Sequence, residues 1–236
     1  MALKIDLEEA IAALNDARHD DIDEAVANSL YRVGMAYMQR DRLDEAFEVL
    51  DEACYLCNKM ENASGGAHVD LALAQVAQGR GQIDEAEKLV NKALAVFDAD
   101  DDDSGRVKAL EILSQTLVGL GRHEDAARSL EDALALTEKA GDPVGQILFR
   151  QYLAPLYRAM ERKEDALSSY RALGRLSHEL GDHQRTALAA VGVGTMLAEL
   201  ERKEEALKAF QQAREIFEGL GQMQRANQVE AEMARL

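Results

Sequence analysis

The sequence has 236 residues, and its 27 Lys and Arg against 44 Asp and Glu give a formal net charge of −17. Such a charge repels phosphate backbones and argues against nucleic-acid binding. The hydrophobic fraction of 47% excludes a disordered chain. No run approaches the ~18 uncharged apolar residues that cross a bilayer. With 2 Pro, no Trp and abundant Ala, the composition favours helix nearly throughout.

The first predicted element is an amphipathic helix over residues 5–18. Leu7, Ile11 and Leu14 recur at helical spacing, which places them on one face. This segment lies outside the repeat described next. We therefore expect residues 1–20 to form an N-terminal capping helix.

A repeat with a 40-residue period follows. Its marker is a pair of acidic residues followed by Ala, and the pairs begin at Asp44, Asp84, Glu124, Glu164 and Glu204. Acidic side chains in the first turn of a helix favour the helix dipole. Each marker therefore predicts the start of a helix, and the regular spacing predicts five repeats over residues 21–220.

Further positions recur when the repeats are counted from Ala27, Ala67, Val107, Ile147 and Ala187. The eighth position is always small, from Gly34 to Gly194, and the twentieth is always Ala. The seventh and twenty-fourth positions are large and apolar, as in Val33 and Leu50. Offsets of three, four and seven indicate one apolar stripe per helix, so each repeat is predicted to be a helix-turn-helix unit.

The pattern restarts once more near the C-terminus. Residues 221–236 place Met233 and Ala234 at the seventh and eighth positions and then end. We expect a C-terminal capping helix here. No linker-like composition interrupts the chain, so residues 1–236 are predicted to form a single solenoid domain.

These positions resemble those of the tetratricopeptide repeat family. The first repeat shows the family's pattern of large and small residues in Leu30, Val33-Gly34, Tyr37, Ala46 and Leu50. The resemblance implies an all-α fold, a right-handed α–α superhelical solenoid. The family's usual Trp at position four and Pro at position thirty-two are missing. The 40-residue period is similar to that of kinesin light chains, spindle-orientation adaptors and bacterial peptide-sensing regulators.

The resemblance also implies a concave groove lined by the first helix of each repeat. It places the second, fifth, ninth and twelfth positions of each repeat in this groove. The groove residues that we single out are Tyr31, Met35, Met38, Leu71, Gln75, Gln78, Gln115, Val118, Gln151 and Arg158. The Lys/Asn/Arg clamp of chaperone-binding members is missing. The implied function is a non-enzymatic protein–protein interaction adaptor or scaffold that binds a peptide or helix. The alternative is a ligand-responsive, peptide-sensing regulator.

One acidic loop has the spacing of a calcium-binding loop. Its candidate ligands are Asp100, Asp102, Ser104 and Glu111. Lys108 occupies a position where a neutral or acidic residue is usual. The alternative is that Asp103 or Ser104 caps a helix and that the other carboxylates are solvated. We favour the alternative and expect no metal site.

No other motif predicts chemistry. Cys54 and Cys57 form a C-x-x-C pair, but no second pair or nearby His completes a zinc site. No catalytic triad or phosphate loop is present, so we expect neither an enzyme nor a cofactor. Two cysteines and no secretory signal favour a cytoplasmic protein. We expect a basic or amphipathic protein or peptide partner, no nucleic acid and no membrane, with the oligomeric state open.

The charge is unevenly distributed. Residues 1–141 carry 30 acidic and 14 basic side chains, a net of −16, whereas residues 142–236 carry 14 and 13, a net of −1. The acidic runs at 20–24 and 98–103 sharpen this difference.

We expect the groove to bend at the fourth and fifth repeats. Pro155 interrupts a predicted helix of the fourth repeat, and Gly192 and Gly194 loosen the next first helix.

Overall fold

The computed structural model describes residues 5–20 and 22–236. The first four residues of the predicted cap and Asp21 of the acidic run 20–24 therefore lie outside the described residues. Over the described ranges the chain forms twelve α-helices and no strand. They are α1 (Leu7–His19), α2 (Asp23–Met38), α3 (Leu43–Lys59), α4 (Ala63–Gly79), α5 (Ile83–Ala99), α6 (Asp103–Gly119), α7 (His123–Ala140), α8 (Pro143–Ala159), α9 (Lys163–Glu179), α10 (His183–Glu199), α11 (Lys203–Gly219) and α12 (Met223–Met233).

The chain divides into two compact units, which meet in sequence between Arg122 and His123. The N-terminal unit contains α1 to α6, where α2 packs on α3 and α4 on α5 as hairpins. The C-terminal unit contains α7 to α12, where α8 packs on α9 and α10 on α11. The all-α class and the helix-hairpin repeat are confirmed. The single domain over 1–236 stays a prediction.

Both predicted capping helices are present as helices. α1 buries Ala10, Leu14 and Ala17 against α2, and the Asp6 side chain caps its start by accepting from the backbone N–H groups of Glu8 and Glu9. α12 packs on α11 with buried Ala226 and Val229. An apolar face therefore lies against the repeats at each end.

Small residues allow close packing within the hairpins of each unit. The Ala at the twentieth position is fully buried in all five repeats, at Ala46, Ala86, Ala126, Ala166 and Ala206. Gly34 packs so tightly on the next helix that a Cβ there would lie 2.6 Å from Leu50 Cγ. The period predicted that small positions face large ones. This pairing allows the two helices of a hairpin to pack closely.

The helices of the C-terminal unit continue through the residues expected to bend them. α8 is one helix from Pro143 to Ala159 and contains Pro155 in its interior. Gly192 and Gly194 lie within α10, each packed against an aromatic ring of a neighbouring helix, Tyr170 and Phe210. None of the described helices is both long and apolar enough to cross a membrane.

Candidate functional site

Three first helices of the N-terminal unit, α2, α4 and α6, together line an open cavity of about 230 Å³. We call it the N-terminal groove. Its lining residues are Tyr31, Met35, His68, Leu71, Ala72, Gln75, Lys108, Glu111, Ile112 and Gln115. Five of the groove residues implied by the resemblance, Tyr31, Met35, Leu71, Gln75 and Gln115, thus come together in one place.

The N-terminal groove is apolar on α2 and becomes more polar toward α6. Tyr31 and Met35 are partly buried against the core of the unit, and burial raises the pKa of the Tyr31 hydroxyl. His68 is held by a 3.0 Å contact between Nδ1 and the Ser64 carbonyl and by an edge-on contact with Phe97. The groove therefore offers fixed aromatic, thioether and amide side chains to a ligand.

Glu111 is the carboxylate of this groove. It is half-buried, and this burial raises its pKa. Within the described residues no ion pair or side-chain hydrogen bond reaches its carboxylate, even though Lys108 lies one turn earlier on α6. A half-buried carboxylate without a partner favours a cation as its neighbour.

Three other implied residues of the N-terminal unit lie outside this cavity. Met38 packs on the core cluster that includes α1. Gln78 joins α4 to α6, because its Nε2 donates to Thr116 Oγ1 at 2.7 Å and to the Ile112 carbonyl at 3.3 Å. Val118 is 44% exposed near the end of α6. All three stand at the twelfth position of their repeats, where α2, α4 and α6 approach their C-terminal ends.

The two implied residues of the C-terminal unit are also separate from each other. Gln151 lines a cavity of about 440 Å³ formed by α8, α9 and α10. Pro155 lines it as well, and since proline has no N–H, the Gln151 carbonyl lacks its usual helix donor. Arg158 is paired with Glu199 at 2.7 Å.

The groove also contains residues that the implied set omitted. Ala72 and Ile112 line it from the sixth position of their repeats. Both are buried, and the sequence pattern assigns such residues to the core. His68 and Lys108 stand at the second position and Glu111 at the fifth, and the resemblance assigns both positions to the groove.

The four candidate calcium ligands have separate places in the fold. Asp102 caps α6, where its Oδ1 accepts from the Gly105 N–H at 3.0 Å, so the cap predicted at Asp103 or Ser104 lies one or two residues earlier. Asp100 follows the end of α5 and is exposed, Ser104 is exposed in the first turn of α6, and Glu111 lines the N-terminal groove. Among the described residues no group of three or more His, Cys, Asp or Glu is placed to hold a metal.

The C-x-x-C pair lies in the second half of α3. Cys57 is buried, and Cys54 Sγ lies 3.9 Å from the buried carboxylate of Asp70. Burial, and then the neighbouring negative charge, raise the pKa of both thiols. Because the thiolate is the reactive form, these cysteines are less reactive than exposed ones.

The sequence matches two family models, both described as tetratricopeptide repeat, over residues 6–64 and 67–139. Together they span more than half of the chain, which therefore belongs to the tetratricopeptide repeat family. No curated protein matches the sequence.

Solved structures share the fold at low sequence identity. One is a Signal Transduction ATPase with Numerous Domains protein with a tetratricopeptide repeat sensor from Pyrococcus horikoshii, with TM-score 0.71, 16% identity and 89% of this chain covered. This chain spans only 32% of that protein. A putative kinesin light chain from Podosopora anserina, with nearly identical repeats, has TM-score 0.66, 18% identity, and coverage of 80% of this chain and 93% of that one. YrrB, described as having an unusual peptide-binding site, has TM-score 0.64, 19% identity, and coverage of 95% and 98%.

The family sets the general class of function. Tetratricopeptide repeats are generally non-catalytic modules of protein–protein interaction, and peptide-binding members such as YrrB share this fold. Stacked repeats expose extended surfaces, which suit the binding of another chain.

Proposed function

We propose that the chain is a non-enzymatic adaptor or scaffold that holds a peptide or helix of a partner protein in the N-terminal groove. The observation that carries this proposal is the convergence of Tyr31, Met35, Leu71, Gln75 and Gln115 on one open cavity. These side chains come from three successive repeats. An extended or helical segment lying across them would contact all three, as in groove recognition of peptides.

The chemistry of the groove favours an amphipathic segment with a basic residue. Met35 and Leu71 supply apolar contacts, and the amides of Gln75 and Gln115 can bond to a peptide backbone. Glu111 supplies a carboxylate that has no ion pair within the described residues. The net charge of −16 over residues 1–141 would draw a basic segment toward this part of the chain.

We also propose that Gln151 and Arg158, in the C-terminal unit, contact the partner. Gln151 is exposed at its cavity, and Arg158 is half-exposed beside Glu199. Substituting either residue tests whether the partner reaches that far.

The test uses a phage-displayed library of dodecapeptides selected on the wild-type chain. Fluorescence anisotropy then measures the affinity of a selected peptide for groove variants. Gln115→Arg introduces a cation at an exposed groove position, and Tyr31→Glu introduces a charge at a half-buried one. We expect each variant to weaken binding by about tenfold or more, since tenfold corresponds to ~1.4 kcal/mol.

The matched control is Tyr55→Glu, because Tyr55 is 67% exposed on α3, a second helix of a repeat, and lies outside the groove. It should bind like the wild type. Gln115→Arg should keep the wild-type circular dichroism, which separates lost binding from lost folding. Undiminished binding by both groove variants would contradict the proposal.

The second candidate function is a sensor of a short free peptide. It is supported at the level of fold by the likeness to the tetratricopeptide repeat sensor from Pyrococcus horikoshii. An adaptor should bind the segment within a folded protein as well as it binds the free peptide. Fusing the selected peptide into an exposed loop of a carrier protein distinguishes the two functions. A sensor that recognises free peptide ends would not bind the fused peptide.

A further inference from the structure

A different cavity lies on the C-terminal unit, where α9, α10 and α11 meet. Its volume is about 360 Å³, within the range of small-molecule sites. We call it the α9–α11 pocket. Its lining residues are Tyr170, Arg171, Gly174, Arg175, His178, Thr186, Ala190, Val193, Ala209 and Gln212. None of them belongs to the N-terminal groove.

The residue at the fourth position of the fifth repeat, Ala190, is small and lines this pocket. In the first and third repeats this position holds a Leu, Leu30 and Leu110, and both side chains are buried. In the fifth repeat it holds Ala190, which lacks the three additional carbons of Leu. Gly174 on α9 carries no side chain to close the space, and a Cβ there would already be in contact with Ala189.

The equivalent place in the second repeat shows what a charged occupant of this position does. Asp70 is buried there, lining a smaller cavity of about 230 Å³, and forms an ion pair with Lys92 at 2.9 Å. In that repeat the chain supplies both charges itself. In the fifth repeat Gln212 stands in the place of Lys92, and Ala190 supplies no charge.

Basic side chains are concentrated on one wall of the pocket. Arg171, Arg175 and His178 are spaced by four and three residues, so they share a face of α9. Within the described residues Arg175 and His178 have no carboxylate partner. Arg171 lies 3.7 Å from Glu205, but Arg202 holds that same carboxylate at 2.8 Å. This wall therefore presents surplus positive charge in a chain whose net charge is −17.

The other wall is apolar. Ala190 and Val193 of α10 and Ala209 of α11 are buried or half-buried, and Tyr170 contributes a ring at the edge. A ligand that fits both walls carries an anionic group and an apolar body. Two guanidinium groups and an imidazole match a doubly charged phosphate better than a singly charged carboxylate.

We propose that the α9–α11 pocket binds a small organic phosphate, with its phosphate on Arg171, Arg175 and His178 and its apolar body on Ala190 and Val193. The site is distinct from the N-terminal groove. Binding there is independent of the proposed adaptor function, so either can fail alone.

Ligand-observed NMR with phenyl phosphate as the probe tests this assignment on the full chain. We expect millimolar binding to the wild type and at least about tenfold weaker binding to Arg175→Gln, as for loss of one charge-assisted contact. Ala190→Leu should remove binding by filling the pocket. Leu already occupies this position in two repeats, which makes this substitution compatible with the fold.

Two controls sharpen the test. Arg235→Gln removes the same charge from an exposed pair with Glu232 near the C-terminus and should bind like the wild type. Benzyl alcohol keeps the ring without the charge and should not bind. Phenyl phosphate that fails to bind at millimolar concentration, binds Ala190→Leu like the wild type, or binds no better than benzoate would overturn the proposal.

Discussion

Ser177 shows how a single polar atom can lower stability inside a packed repeat. Its side chain is fully buried in α9, and its Oγ finds no hydrogen-bond partner among the described residues. The equivalent residue of the third repeat, Thr137, donates to the Leu134 carbonyl at 2.8 Å. We expect Ser177→Ala to raise the free energy of unfolding by about 1 kcal/mol, because a buried hydroxyl without a partner retains its desolvation cost.

Urea denaturation of the two chains measures this difference. Thr137→Val serves as the comparison, since it removes a hydroxyl that is bonded and should lower stability. A Ser177→Ala chain less stable than the wild type would show that the hydroxyl has a stabilising partner.

Glu111 makes stability depend on pH. Burial raises its pKa in the folded chain above that of the unfolded chain, so the folded chain binds the proton more tightly. Its contribution is therefore most favourable below the unfolded pKa and is lost as pH rises through the folded pKa. We expect Glu111→Gln to be more stable than the wild type at about pH 7, with the difference shrinking toward about pH 4.

Denaturant titrations of both chains at the two pH values measure this effect. Glu61→Gln is a matched control, because Glu61 is exposed in the turn before α4. Equal stability of Glu111→Gln and wild type at neutral pH would mean that the Glu111 carboxylate is not penalised by burial.

At the scale of the helix, the small positions decide how closely neighbours pack. A Cβ on Gly194 of α10 would lie 2.7 Å from the Phe210 ring of α11, so the ring or one of the two helices would have to shift. We expect Gly194→Ala to lower the free energy of unfolding by about 1–3 kcal/mol through overpacking.

The control for this prediction is Gly219→Ala in the last turn of α11, where nothing lies within 4 Å of the added Cβ. This variant should be as stable as the wild type or gain up to about 1 kcal/mol from higher helix propensity. Thermal unfolding followed by circular dichroism compares the three chains. Equal losses at both glycines would contradict the packing explanation.

The 40-residue period predicted the helices well because the residues that recur in it are those that start helices or pack between them. Acidic pairs mark helix starts, and the fully buried Ala at the twentieth position marks the hairpin contact. The convergence of Met35, Gln75 and Gln115 also follows from the period, since all three stand at the ninth position and equal positions of stacked repeats lie side by side. The cap at Asp102 was missed by one or two residues because the sequence has four successive Asp residues, 100–103, and an Asp at any of these positions can cap a helix.

Other features depend on neighbours that the period does not specify. The hydrogen bonds of Gln78 require the opposing positions of Thr116 and Ile112 on α6. The α9–α11 pocket arises from side chains too small to fill a space, Gly174 and Ala190, on two different helices. Such cavities appear only when the helices are assembled, because a small residue by itself is equally typical of close packing.

At the scale of the whole chain, the charge predicts how a partner arrives. With a net of −16 over residues 1–141, a basic peptide should associate faster at low ionic strength. We expect its association rate constant to fall by about tenfold between about 50 mM and about 500 mM salt, as screening shortens the electrostatic range. Stopped-flow fluorescence measures this rate, and an equally long neutral peptide should show little change. A rate that is insensitive to salt for both peptides would exclude steering.

In the proposed complex a partner segment lies across the first helices of the N-terminal unit. Site-specific photo-crosslinking tests it most directly, with a benzophenone side chain placed at Gln115 in the groove or at Tyr55 outside it, both exposed in the structure. A peptide selected on the wild-type chain should crosslink strongly from position 115 and weakly from position 55. Crosslinking from position 55 alone, or equally from both, would contradict the account.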